Sequence, residues 1–387
     1  MKKTPKREYP IKMIINFTLL QIILTRKFTK LFFKWNLFLP QNDESITLID
    51  CSLIGDILLN LPYIHQYLEH YTQKKISLLC LDKTYPLLVA LLQNKYPHLR
   101  IIPHNLEQLN RNIFYAFSLI FKIGRQSKVI IIHPYINDNM YHLAQCIPSR
   151  IKIAYESEVT FPQPNSQVFD IHIHNPYTEA MIPLQLHFST IAAYLLGTNY
   201  MPSLQTYQKY LHVLKDSQNT LLFNSYIVIV TDSSEAYRSY PQHLWEELIQ
   251  TTSLKSKTII LLGLKRLDFI AENVINLTAK TSLVEACQII LSADLVIGNE
   301  TGLIHLSYLS GVSTLCLLGG GHYGRCLPPY LPCENLINAI YPMNCFGCNW
   351  ECDKISTKNE CVPCISSISN EILQKGILQL FQKDTNK

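Results

Sequence analysis

The run Asp294-Leu-Val-Ile-Gly-Asn-Glu-Thr-Gly-Leu-Ile-His-Leu306 takes an apolar strand directly into a Gly-Asn-Glu-Thr-Gly turn that starts a helix. This is how a chain builds an anion site: the first N–H groups of a helix have no internal partner and carry the positive end of its dipole, so a phosphate can rest on them without a metal. Gly298 and Gly302 are expected to let the main chain approach a ligand closely. His305 lies one turn beyond Thr301 and shares its face, and it is as well read as a structural histidine as a ligand contact.

A second chemically suggestive loop is Cys51-Ser-Leu-Ile-Gly-Asp56, between a short strand and a helix. Gly55 permits a tight turn, and Asp56 falls in the first helical turn, where the dipole favours a carboxylate. Two readings stand side by side. Asp56 caps a helix, or it is a general base aimed across a cleft at a hydroxyl that becomes acidic as it attacks.

The third group is the set Cys345, Cys348, Cys352, Cys361 and Cys364. Paired C-x2-C elements about a dozen residues apart are a thiolate–metal spacing, with structural zinc the expectation for a reducing compartment. An iron–sulfur or redox pair and plain reduced thiols are the alternatives, and five Cys exceed the four ligands of a tetrahedral site.

The elements that must position these loops read as alternating strands and helices. Ile46–Asp50, Ile76–Leu81 and Val129–His133 are expected strands; Asp56–Tyr71, Tyr85–Gln93 and Leu184–Leu196 are expected helices. A second set follows: strand Tyr226–Val230, helix Pro241–Thr251, strand Thr258–Leu262, a helix opened by the capping box Ser282–Glu285, strand Leu295–Ile297, the helix closed by Gly311, and strand Ser313–Gly319. The expectation is an α/β protein with two Rossmann-like β/α domains facing across a cleft.

At 387 residues and 48% hydrophobic content the chain can bury two cores. The expected organisation is an extension over residues 1–44, a first domain over 45–200, a linker over 201–222, and a second domain over 223–340. A Cys-rich segment over 341–366 and a terminal helix over 367–387 complete it. The linker reads as polar and turn-rich, without a clear strand.

Residues 1–40 hold nine Lys/Arg (Lys2, Lys3, Lys6, Arg7, Lys12, Arg26, Lys27, Lys30, Lys34) against Glu8, so removing their +8 from the net +5 leaves the rest at −3. Basic charge confined to one terminus disfavours a nucleic-acid-binding body. That segment also carries the apolar runs Met13–Leu24 and Leu31–Leu39, both short of the ~20 residues that span a bilayer. It reads as an amphipathic element lying on an anionic membrane surface, or alternatively packed on the body. No small-residue cleavage site follows the apolar run. Twelve Cys without a secretory signal point to the cytoplasm, peripheral on the inner membrane face.

In order along the chain, five segments resemble glycosyltransferase family nine, the bacterial lipopolysaccharide heptosyltransferases, over roughly residues 45–370. Ser52-Leu-Ile-Gly-Asp56 resembles the family's S-x-x-G-D loop, and Arg238-Ser-Tyr-Pro241 its R/K-x-W-P segment. Leu261-Leu-Gly263 is similar to L-L-G, and Asn276–Leu283 to N-L-x-G-K-T-S-L. The most specific is Gly298–His305, similar to G-N-D-T-G-x-x-H.

The resemblance implies a GT-B fold and an inverting, metal-independent transfer from a nucleoside-diphosphate sugar, usually ADP-heptose, to a glycolipid acceptor such as a lipopolysaccharide core. Asp56 then matches the catalytic base, with Ser52 and Gly55 in the acceptor-side loop. Arg238 matches the cation for the diphosphate, and Thr301 and Gly302 supply amides. Asn299, Glu300 and His305 complete the implied nucleotide-sugar site. No cofactor is implied for catalysis. Lys280 and Asp268 are further candidates, for the nucleotide and the ribose; a solvated lysine is the alternative for the first. Arg325, after the run Gly319–Gly321, is read either as reaching phosphate or as facing water.

Departures from the pattern bear on specificity. Asp50 stands where Lys or Arg is common, Glu300 replaces Asp, Tyr240 replaces Trp, and Val230-Thr-Asp232 stands where a Pro-Gly turn is usual. The competing classes are a non-catalytic sugar-nucleotide or glycolipid binding protein, with Asp50 and Glu300 marking a decayed site, and an epimerase or hydrolase on the same fold.

Overall fold

The computed structural model describes residues 44–384 apart from 136–142, 145–146, 157–168, 178, 180, 216–224 and 252–253. The basic extension, and much of the loop 135–150, therefore lie outside the described residues.

Central strands form because runs such as Val129-Ile-Ile131 and Ile227-Val-Ile-Val230 are apolar on both sides and β-branched, which suits a parallel sheet covered on both faces. The first sheet comprises β1 (Ser45–Ile49), β2 (Lys75–Leu81), β3 (Leu99–His104), β4 (Gln126–Ile131), β5 (Ser149–Tyr155) and β6 (Ile171–Ile173). Its order is β3-β2-β1-β4-β5-β6, and every pairing is parallel. The second sheet comprises β7 (Ile227–Val230), β8 (Ile259–Leu262), β9 (Val274–Asn276), β10 (Leu295–Asn299), β11 (Ser313–Leu317) and β12 (Leu336–Ala339). It too is wholly parallel, in the order β12-β11-β10-β7-β8-β9.

Read from its other edge, the second sheet repeats the order of the first. Each has its reversal between the first and fourth strands, β1/β4 and β7/β10, and ligands of open α/β sheets gather at the carboxyl ends of strands at such a reversal. The loop carrying Asp56 leaves β1, and the Gly-Asn-Glu-Thr-Gly turn leaves β10.

Three helices lie between the sheets: α1 (Ile54–His70), α2 (Leu184–Leu196), closed by Gly197 in the left-handed conformation, and α3 (Leu204–Leu211). The passage expected as a turn-rich linker over 201–222 thus contains a helix. Leu204, Tyr207 and Leu211 supply one apolar stripe, Ser203 caps it by accepting the Thr206 N–H at 3.3 Å, and the buried Tyr207 hydroxyl donates to the Leu59 carbonyl at 2.9 Å. The second domain adds α4 (Gln242–Ile249), α5 (Leu283–Leu291, opened by the expected Ser282/Glu285 capping box), α6 (Gly302–Leu309) and α7 (Asn370–Asp384). One apolar cluster runs from Ile46, Leu58 and Tyr63 through Tyr207 to Val228, Leu306 and Tyr308, so the two sheets share a core.

Candidate active site

Asp56 occupies the third position of α1, whose N-cap, Leu53, has no side-chain capping bond. The carboxylate is therefore not spent on capping. A third of its side chain reaches solvent, and Oδ2 stands 3.8 Å from Nε2 of the buried His133. Removal from water pushes its pKa above the usual carboxylate value; His133 and His305 oppose the shift, and Asp50 and Glu300 reinforce it. His305 and Glu300 belong to the other domain.

Beneath the loop, Asp50 is fully buried and its carboxylate is filled by the chain itself. Oδ1 accepts from the Ser52 hydroxyl at 2.5 Å and the Ser52 amide at 3.2 Å, and Oδ2 accepts from Asn60 Nδ2 at 2.7 Å. Asp50, an acid where the resemblance leads one to expect Lys or Arg, is thus a brace for the loop between β1 and α1, with Ser52 as its partner.

The two loops meet through their glycines. A Cβ at Gly302 would lie 2.6 Å from Ile54 Cβ and 3.1 Å from the Gly55 nitrogen, and one at Gly55 would lie 2.9 Å from His305 Cδ2. These glycines let α1 and α6 abut, where the expectation gave Gly302 a ligand approach and Gly55 only a turn. Gly298 likewise serves packing, since its Cβ would strike Val230 at 2.7 Å.

On the second-domain side, Glu300 is buried and stands 3.5 Å from Arg238 and 3.8 Å from His305 Nε2. Burial works to raise its pKa, but His305, Arg238 and His322 outweigh that and hold it below the ordinary value. His305 in turn shares a 3.1 Å hydrogen bond with the Tyr308 hydroxyl. The Thr301 hydroxyl is buried without a hydrogen-bond partner among the described residues, beside the open amides of α6. Asn299 is buried, and its amide group braces the scaffold: Oδ1 accepts from the Tyr240 N–H at 2.9 Å and Nδ2 donates to the Thr231 carbonyl at 3.4 Å. Tyr240 packs edge-on to Trp245 and donates to the Ile368 carbonyl at 2.7 Å, which fixes the end of the 3-10 turn Ala236–Arg238.

Arg238 stacks over Trp350 at 4.8 Å, and Trp350 also lies against Tyr237 and His322. Trp350 belongs to the Cys-rich segment, which docks on the run Gly319–Gly321 through bonds from the Gly347 N–H to the Gly320 carbonyl (2.8 Å) and from the Asn349 N–H to the Gly321 carbonyl (2.9 Å). A Cβ at Gly321 would fall inside the Trp350 ring. Arg325 is half-buried; it stacks on Tyr135 of the first domain at 4.5 Å and pairs with His322 at 3.1 Å.

Two candidates stand apart. Lys280 is exposed and donates to the Asn276 carbonyl at 2.8 Å, and Asp268 is 82% exposed in an ion pair with Arg266. Of the five thiols, Cys345, Cys348, Cys352 and Cys364 line one small cavity with Met343 and Trp350, and Cys361 does not. Burial pushes the Cys348 and Cys364 thiols up, and Cys361 to about 12. Among the described residues no group of three or more His, Cys, Asp or Glu side chains is placed to hold a metal ion.

His133, Trp350 and His322 are the site residues that sequence reasoning missed. His133 directly follows the apolar run Val129–Ile132, but only the sheet order sets it beside β1.

The sequence profile of glycosyltransferase family 9 (heptosyltransferase) matches residues 142–349, more than half of the chain. The chain belongs to this family. It is accordingly a glycosyltransferase of the heptosyltransferase type. The matched region holds Arg238 and the β10–α6 turn but stops short of Asp56. No curated protein sequence matches.

The fold is shared with E. coli heptosyltransferase WaaC bound to ADP-2-deoxy-2-fluoro heptose, at a TM-score of 0.61 and 15% identity, over 87% of this chain and 99% of that one. E. coli ADP-heptose lipopolysaccharide heptosyltransferase II is similar at 0.60 and 14%, over 88% and 99%. The iron-containing dodecameric glycosyltransferase TibC from enterotoxigenic E. coli is similar at 0.52 and 13%, over 89% and 80%. The architecture is thus GT-B.

Proposed function

We propose that this glycosyltransferase moves a sugar, with ADP-heptose the leading donor, onto a glycolipid acceptor of the lipopolysaccharide-core kind, with inversion and without a metal. The observation that carries this reading is the abutment, at Gly55 and Gly302, of α1, which bears Asp56, on the amino end of α6.

In the reaction, an acceptor hydroxyl oxygen bonds to the anomeric carbon as the bond from that carbon to the diphosphate breaks. The hydroxyl proton passes to Asp56, whose raised pKa suits it to hold a proton. The departing electron pair goes to the diphosphate, whose growing charge falls on the α6 amides, the Thr301 hydroxyl and Arg238. Arg238 and the helix dipole provide the positive charge for which other transferases use a metal, which supports a metal-independent step. Glu300 is placed beside Arg238 to accept from sugar hydroxyls.

Attachment to the inner face of the cytoplasmic membrane belongs to the same proposal. It is supported by the basic, apolar composition of residues 1–40 and by Phe114 and Phe121, which stand exposed on the helix Ile113–Ile123 beside Lys122. Among the described residues no helix is long and apolar enough to cross a membrane.

The test is Asp56→Asn assayed with ADP-heptose. ADP binding by calorimetry should persist while sugar release or transfer falls by orders of magnitude. Wild-type turnover would remove Asp56 from the mechanism, and wild-type protein that binds ADP but turns over no nucleotide sugar would favour the binding-only class.

A further inference from the structure

The reading above leaves His133 unused. It follows β4, which pairs with β1 in the register Ile49 to Ile131, so the two loops emerge side by side at the sheet reversal. Its ring is 2% exposed and is held edge-on by Phe188 at 5.6 Å and Tyr135 at 6.1 Å. Nδ1 lies 3.1 Å from the Tyr135 amide nitrogen and 2.9 Å from the Tyr135 carbonyl. Nε2 has no hydrogen-bond partner among the described residues, and the nearby charged oxygen is Asp56 Oδ2 at 3.8 Å.

This environment accepts either protonation state. When Nδ1 accepts the Tyr135 N–H, the single proton sits on Nε2 and points toward the carboxylate. When the ring is doubly protonated, Nδ1 can instead donate to the Tyr135 carbonyl, and Nε2 keeps its proton toward Asp56. A buried imidazole whose far nitrogen is satisfied both ways, and whose near nitrogen has only a carboxylate before it, is built as that carboxylate's partner.

We propose that His133 is a positioning residue for Asp56, orienting its carboxylate toward the acceptor hydroxyl and stabilising its negative charge. This rests on the reading of Asp56 as the base. His133 touches no reacting atom; it acts through Asp56. The carboxylate is faced by His133 from the end of β4, by His305 and Glu300 from the α6 side, and by Asp50 from below; the two histidines favour its ionised form and the two acids oppose it. His133 is itself faced by His187 of α2, which burial keeps neutral with a pKa lowered to about 4.

The experiment is an NMR titration on the full chain, which needs no acceptor. The Asp56 carboxyl midpoint, followed by 13Cγ and assigned by its loss in Asp56→Asn, should rise by about one pH unit in His133→Phe, because an imidazole that favours the carboxylate has been removed. A purely structural histidine leaves that midpoint where it is.

His133→Gln keeps a polar side chain of similar reach, so it keeps the test alive if His133→Phe folds poorly. An unchanged Asp56 midpoint in His133→Phe or His133→Gln overturns the proposal. A shifted midpoint combined with wild-type sugar transfer by Asp56→Asn would sustain the pair yet sink the base assignment, so the two failures are distinguishable.

Discussion

Gly302→Ala is the substitution in which packing and propensity pull hardest against each other. Gly302 opens α6, and alanine at a helical position normally gains about 0.5–1 kcal/mol over glycine. Against this stands the new methyl, 2.6 Å from Ile54 Cβ and 3.1 Å from the Gly55 nitrogen, where carbon atoms prefer ~3.5–4.0 Å. The obstructing atoms are main chain or fixed to it, so no rotamer relieves the overlap, and α1 and α6 must part by about 1 Å. Such overpacking costs ~1–3 kcal/mol, which leaves a net loss of about 1–2 kcal/mol. For a chain of this size that lowers the thermal midpoint by about 1–3 °C, read by calorimetry. The larger effect is catalytic, because ~1 Å of misplacement between base and reacting carbon costs on the order of 100-fold. Turnover of a nucleotide sugar, measured by ADP release, should fall accordingly while ADP affinity changes little. An alanine variant with unchanged turnover and midpoint would refute the claim that the domains touch through these glycines.

Four further outcomes are expected. The raised pKa of Asp56 means the folded state binds that proton more tightly than the unfolded chain, so its ionisation costs stability above the folded pKa and nothing below the ordinary carboxylate range. Asp56→Asn should therefore melt higher than wild type at pH 8, with the gain vanishing toward pH 3; an equal gain at both extremes contradicts this. Trp350→Leu removes the face under Arg238, a contact worth ~0.5–2 kcal/mol, and should weaken ADP binding by about 2–30-fold in calorimetry. Ala279 holds a left-handed φ of 57° where the family motif has glycine, so Ala279→Gly should raise stability by about 0.5–1 kcal/mol in urea unfolding, whereas the same exchange at an ordinary helical site would lower it. Exhaustive dialysis against EDTA should leave the melting midpoint unchanged, and stoichiometric zinc release with a collapse of the midpoint would show that the four cavity-lining thiols rearrange into a metal site.

The central strands and both site loops were legible in the sequence because strands buried on both faces are continuous apolar runs, and because a strand running into a glycine-flanked helix start has few other uses. The outer strands were not. Leu-Arg-Ile-Ile-Pro-His of β3 and Ser-Arg-Ile-Lys-Ile-Ala-Tyr of β5 mix charge into the pattern, and β6 and β9 have three residues each. The stretch between β3 and β4, for which no helix was expected, holds the helices Leu106–Arg111 and Ile113–Ile123, started by the caps Asn105 and Asn112. In the site, the neighbours of Asp56 along the chain were readable and its neighbours in space were not. His133, Trp350 and the glycine-mediated abutment depend on which strands lie side by side, and sheet order leaves no local mark on a sequence. Asp50 shows the same limit: its type suggested an altered charge at the loop, whereas its hydrogen bonds make it a strut.

Where Gly55 and Gly302 bring main chain against main chain, the join between the two halves is made largely of atoms that cannot change rotamer. Its dimensions are then written into the backbone, and any larger residue at either glycine must be accommodated by shifting a whole helix.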